Sequence, residues 1–107
     1  MSSHNEIWIG LIGLYPMLSN TLVAQNQGAY ANVLLMANDL EDYKDKTINF
    51  LSGMGFEVFE MEDTERLDER LQKFEVDSSI MELAKKVQIE RTPQISTLHV
   101  FNREDVQ

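Results

Sequence analysis

The chain has 107 residues and a mass of 12.3 kDa, carries a formal net charge of −9 and contains no cysteine. This length points to one domain of residues 1–107, and a chain without cysteine has neither disulfides nor thiolate metal sites, which fits a reducing compartment. The acidity argues against nucleic acid, whose binders need Lys and Arg to displace phosphate counterions, and against anionic membrane surfaces.

Ile7 to Tyr15 is apolar on both alternating sides, with Ile7, Ile9 and Leu11 on one and Trp8, Ile12 and Leu14 on the other. That pattern predicts a strand covered on both faces. Gly10 and Gly13 inside it signal close backbone approach or a bulge. The run is too short to span a bilayer and is closed by Pro16. A secretory leader wants basic residues, and MSSHNE has no Lys or Arg, so a cytoplasmic protein is expected. Residues 16–28, rich in Asn and Gln, read as a loop.

Ala29 to Ala37 is the second expected strand, with Ala31, Val33, Leu35 and Ala37 making one apolar face. The period then changes. Leu40, Tyr43, Thr47, Phe50, Leu51 and Met54 recur at helical spacing. Asn38 with Glu41, or Asp39 with Asp42, caps the start, and Gly53 and Gly55 bracket the stop.

Phe56 to Met61 is a short third strand, and Thr64 to Phe74 a second helix with Leu67, Leu71 and Phe74 inward. Ser79 and Glu82 form a capping box for a third helix, whose inner face is Ile80, Leu83, Ala84 and Val87. After Pro93, Gln94 to Asn102 is the last strand, with Ile95, Thr97, His99 and Phe101 on one side. Residues 1–5, which include His4, and residues 103–107 are expected to be flexible ends.

The order β-β-α-β-α-α-β, with a helical crossover between parallel second and third strands, predicts an α+β two-layer sandwich. It would hold a four-stranded mixed sheet with two or three helices on one face, a ferredoxin-like arrangement. The other face of such a sheet is left open. Because both sides of the first strand are apolar, a homodimer covering that face is expected.

Charge is distributed unevenly. Up to Asn38 the single charged side chain is Glu6, whereas residues 57–77 hold nine acids against three bases. Part of that acidity suits a helix start, where the dipole favours Glu62, Asp63 and Glu65. Glu62 with Arg66, and Glu69 with Lys73, are spaced as helical ion pairs. The remainder suggests docking of a basic protein partner through Glu57, Glu60, Glu65, Asp68, Glu69, Glu75 and Asp77.

Catalytic signals are weak. The two histidines, His4 and His99, are far apart and no H-x-x-H occurs, so no metal and no cofactor is expected. Ser19, Ser52, Ser78, Ser79 and Ser96 lack a G-x-S-x-G context, and no catalytic residue is assigned. The glycines give no phosphate-binding loop.

Two functions from different classes follow. The first is a small acidic interaction or regulatory module, of the kind an inhibitor or immunity-type protein forms when it masks a basic partner. The alternative is a small-molecule-binding protein or enzyme with an apolar pocket at the sheet, lined by Trp8, Tyr15, Tyr30, Asn32 and His99.

Overall fold

A computed structural model describes residues 6–18, 20 and 23–102. The expected flexible ends, together with His4, Ser19 and Thr21, lie outside the described residues. The described residues form an α+β fold with an antiparallel sheet and three helices, in the order β1 (Glu6–Pro16), β2 (Gln27–Ala37), α1 (Leu40–Gly53), β3 (Phe56–Arg66), α2 (Leu67–Lys73), α3 (Ser78–Glu90), β4 (Gln94–Ile95) and β5 (His99–Asn102).

The strand order is β3-β1-β2-β4, with β5 also on β2, and all four pairings are antiparallel. The expected mixed sheet is thereby corrected. β2 and β3 do run in the same direction, but β1 lies between them, so no parallel pair forms. The five strands occupy four lanes. β4 pairs Val33 with Ile95, whereas β5 pairs Tyr30 with His99, one residue out of step. Ser96 bridges the break: its Oγ accepts from the Asn32 N–H at 2.8 Å, and its own N–H donates to the Asn32 carbonyl at 2.9 Å. An extra residue of this kind turns the following side chains to the opposite face. Ile95 therefore packs in one core cluster, while His99 and Phe101 face the other way, contrary to their expected common side.

The helices divide between the two faces, which corrects their expected placement on one. α1 is capped at Asp39, whose side chain accepts from the Asp42 N–H, while the Asp42 carboxylate accepts from the Asn38 N–H at 2.8 Å. Its buried side, Tyr43, Thr47 and Leu51, lies on Ile12, Leu14, Val33, Leu35 and Ala37, with Trp8 against Tyr43. On the opposite face, Leu67 of α2 and Ala84 and Val87 of α3 cover Ile9 and Leu34, with Ile7, Met36, Ile80 and Leu83 around them. Helices of the same chain thus cover one side of β1 through Trp8, Ile12 and Leu14 and the other side at Ile7 and Ile9. No second subunit is needed to bury Trp8, Ile12 or Leu14.

The third strand runs to Arg66, five residues beyond its expected end, and α2 starts only at Leu67. Glu62, Asp63 and Glu65 belong to this strand, so they do not occupy a helix start. α3 begins at Ser78, and its N-cap Asp77 makes no side-chain capping bond, so the Ser79–Glu82 box does not set this terminus.

Candidate functional site

α2 and α3 reach only one end of their face, over Ile7, Ile9, Leu34 and Met36. The other end carries three cross-strand rows that the register defines. Glu57 of β3 stands beside Tyr15 of β1, with Gly28 beside Phe101 further across the sheet. In the next row, Glu60 neighbours Gly13, Gly13 neighbours Tyr30, and Tyr30 neighbours His99. In the third, Glu62 neighbours Leu11 and Leu11 neighbours Asn32. Partners across antiparallel strands share a face. All these side chains therefore point to the side of α2 and α3, beyond the cover those helices give.

Four rings pack together on this uncovered end. Tyr15 stacks on Phe59 with centroids 4.2 Å apart at 18°. Tyr30 meets Phe59 edge-on at 5.7 Å and Phe101 at 5.5 Å. Two strand glycines make room for them. A Cβ at Gly13 would stand 2.6 Å from the Phe59 ring, and one at Gly28 would stand 2.5 Å from the Phe101 ring. Here the absent side chain lets a neighbouring ring lie against the backbone.

A bulge assembles the β3 side. Val58 pairs with Leu14 and Glu60 with Gly13, which leaves Phe59 as the extra residue. Simple alternation would put Glu57 and Glu60 on opposite faces. With the bulge, Glu57, Glu60 and Glu62 all face the aromatic end, while Val58 and Met61 face the α1 core. A second register shift lies between Glu62 and Glu65, where Asp63 takes a positive φ of 50°.

The electrostatics of this end are one-signed. The Tyr30 hydroxyl donates to Glu60 Oε1 at 2.9 Å, and this bond, together with partial burial and the Glu60 and Glu62 charges, raises the phenol's pKa. The Glu60 charge, helped by some desolvation, likewise pushes the Glu62 carboxyl upward. Among the described residues, no Lys or Arg lies in these rows.

Several of the remaining acids are balanced locally. Glu65 accepts from Arg70 at 2.8 Å and Lys73 at 2.7 Å, and these bonds pull its pKa down. Arg66 reaches Glu6 at 3.0 Å, Asp68 at 3.6 Å and Glu69 at 3.4 Å. The expected Glu62–Arg66 and Glu69–Lys73 pairs are replaced by these, because Glu62 lies on a strand and Lys73 turns to Glu65. Glu75 and Asp77 are exposed in the α2–α3 connection.

The structure thus regroups the sequence candidates. Tyr15, Tyr30, Asn32 and His99, chosen as pocket residues, join Glu57 and Glu60, chosen as docking residues, on one surface. Trp8 is separate, beneath α1. Phe59, Phe101 and Glu62 belong to the surface but were not singled out. The glycines at 13 and 28 carried the signal for the two rings, whereas the bulge left none.

A cleft of about 560 Å³ lies elsewhere, between α1 and the α3–β4 turn, and is lined by Leu35, Lys46, Phe50, Arg91 and Pro93 among others. None of the five expected pocket residues lines it. Among the described residues, no group of three or more His, Asp or Glu is placed to hold a metal ion, and no helix is long and apolar enough to cross a membrane. The chain matches no protein-family model, no curated protein and no solved structure.

Proposed function

We propose that this protein is a non-enzymatic interaction module that docks a basic protein partner on the uncovered end of its sheet. The observation that supports this is the coincidence of four packed rings with three carboxylates, Glu57, Glu60 and Glu62, on a surface its own helices leave bare. Aromatic residues are the type interface cores favour. Unbalanced acids at the edge steer a basic partner and raise the encounter rate, an effect that weakens with salt. An inhibitor or immunity-type role, masking a basic toxin or nuclease, is the form of this function that the charge best suits.

Two other occupants fit less well. A small molecule needs a concave pocket, but ring centroids 4.2–6.3 Å apart leave the aromatic cluster filled by its own side chains. Homodimerisation through this end would set Glu57, Glu60 and Glu62 against their own copies, because a two-fold interface pairs a patch with itself. No base in the rows offsets that repulsion.

Two variants of equal charge loss test the docking surface. Glu57→Gln/Glu60→Gln/Glu62→Gln alters the sheet end, and Asp68→Asn/Glu75→Gln/Asp77→Asn alters exposed acids elsewhere. Affinity capture with identification by mass is expected to retain one basic, salt-sensitive partner on the wild type and the second variant and to lose it on the first. Retention by the first variant, or a partner that is itself acidic, contradicts the proposal.

A further inference from the structure

Building on the docking function, we infer that the side chain this surface receives from its partner is an arginine, seated on the Tyr15–Phe59 stack and held by the carboxylates of β3. Two features distinguish arginine from lysine and from methylated lysine, and a third calls for a cation of any kind.

The first is ring packing. A methylated ammonium is held in a cage whose aromatic walls stand apart. Here Tyr15, Tyr30, Phe59 and Phe101 touch one another, so no cage opens between them. What the cluster offers is half-exposed planar surface, with Phe59 37% exposed. A guanidinium stacks on such surface and gives up its hydration more readily than an ammonium does.

The second is the spacing of the carboxylates. Glu57 and Glu60 pair with Tyr15 and Gly13, two residues apart on β1, or about 6–7 Å along the strand. A planar fork with five N–H donors can reach toward both rows at once, whereas an ammonium acts as a point charge beside one. Tyr30 already holds Glu60 by one oxygen, which fixes that carboxylate beside the rings before any partner arrives.

The third is charge. Glu60 and Glu62 crowd each other with no Lys or Arg in their rows among the described residues, and any cation placed there, a guanidinium included, relieves both.

The test is an NMR titration of the intact chain with two peptides of equal length and charge, alternating arginine–glycine and alternating lysine–glycine, followed at the amides of Gly13, Tyr15, Tyr30 and Phe59. The arginine peptide is expected to bind about two- to fivefold more tightly, the range an exposed cation–π contact provides. In Phe59→Leu this preference disappears while the lysine peptide's affinity stays the same. In Glu57→Gln, at an exposed position, both peptides bind more weakly. Equal affinities with shifts still centred on Gly13, Tyr15 and Tyr30 overturn the arginine assignment and leave the docking surface intact. Tighter binding of a trimethyllysine peptide also overturns it. Shifts centred on Glu75 and Asp77, or none from either peptide, overturn the docking surface as well.

Discussion

The two faces of the sheet solve the same problem differently. Under α1 the chain packs its own core: Ile12, Leu14, Val33, Leu35, Tyr43 and Leu51 are essentially inaccessible, and the Tyr43 hydroxyl donates to the Val33 carbonyl at 2.7 Å. Burial drives that phenol's pKa far upward, so it remains a neutral donor. On the other face the short α2 and the α3 helix cover one end only, and an aromatic cluster flanked by the acids of β3 occupies the other. Apolar packing alone therefore does not distinguish the core from the open end. The difference lies in charge. On the α1 face the buried tyrosine is bonded and neutral, whereas on the open end the Tyr30 hydroxyl bonds Glu60 alone and, among the described residues, no Lys or Arg stands in the rows of Glu57, Glu60 and Glu62.

Glycine substitutions separate the two faces most sharply. Gly10 lies under α1, where a Cβ would meet the Tyr43 Oη at 2.9 Å and the Thr64 Oγ1 at 3.0 Å. Tyr43 is pinned by its bond to Val33, so Gly10→Ala is expected to lower unfolding stability by about 1–3 kcal/mol, the cost of overpacking. Gly13→Ala presses on the Phe59 ring, a closer contact, but one that can swing into solvent. Its cost in denaturant unfolding should be smaller, with the chief effect on the NMR signals of Phe59 and Tyr15. Equal destabilisation by both substitutions would mean that the open end is packed as tightly as the core.

Much of this comparison was legible in the sequence. Both long strands, the α1 helix with its Asp39 cap, and the inner faces of α1 and α3 follow from periodicities of two and 3.6 residues. Gly10 and Gly13 signalled close approach, and both lie under rings. The arrangement of the acids was hidden, because it depends on single-residue register shifts. The extra residue Phe59 turns Glu60 and Glu62 to the side of Glu57, and the break at Ser96 turns His99 and Phe101 away from Ile95. Alternation read along one strand contains no information about such shifts, since they are set by the neighbour. The helix expected from Thr64 was overridden by pairing with β1: Glu65 and Arg66 stand opposite Ile9 and Trp8, and the ladder outweighed local helix propensity.

The balanced and unbalanced acids should also separate by pH. Glu65, lowered by Lys73 and then Arg70, is a group whose folded pKa lies below its ordinary value of 4.5. Its contribution to stability is present above that value and is lost as pH falls through the folded pKa. Glu65→Gln is therefore expected to destabilise the protein at neutral pH and to flatten the acid limb of its thermal stability profile. If wild type and variant lose stability in parallel below pH 4.5, the Arg70 and Lys73 contacts do not hold Glu65 in solution.

Glu62 should behave in the opposite sense, with the smallest effect. Its pKa is raised, chiefly by the charge of Glu60, so its ionised form is disfavoured in the folded chain. Such a group adds stability below its unfolded pKa and loses it as pH rises through the folded one. Glu62→Gln removes the repulsion, so the variant should unfold at a slightly higher temperature than wild type at neutral pH, with the gain vanishing in acid. The same substitution removes one of the charges that raise the Tyr30 pKa, and a phenol titration followed by NMR should move downward. Glu60→Gln should move it further, because Glu60 is both the acceptor of the Tyr30 hydrogen bond and its nearest charge. A Tyr30 titration unchanged in both variants would show that the carboxylates do not crowd the ring cluster. The contrast between the neutral core under α1 and the acidic open end would then lose its electrostatic half.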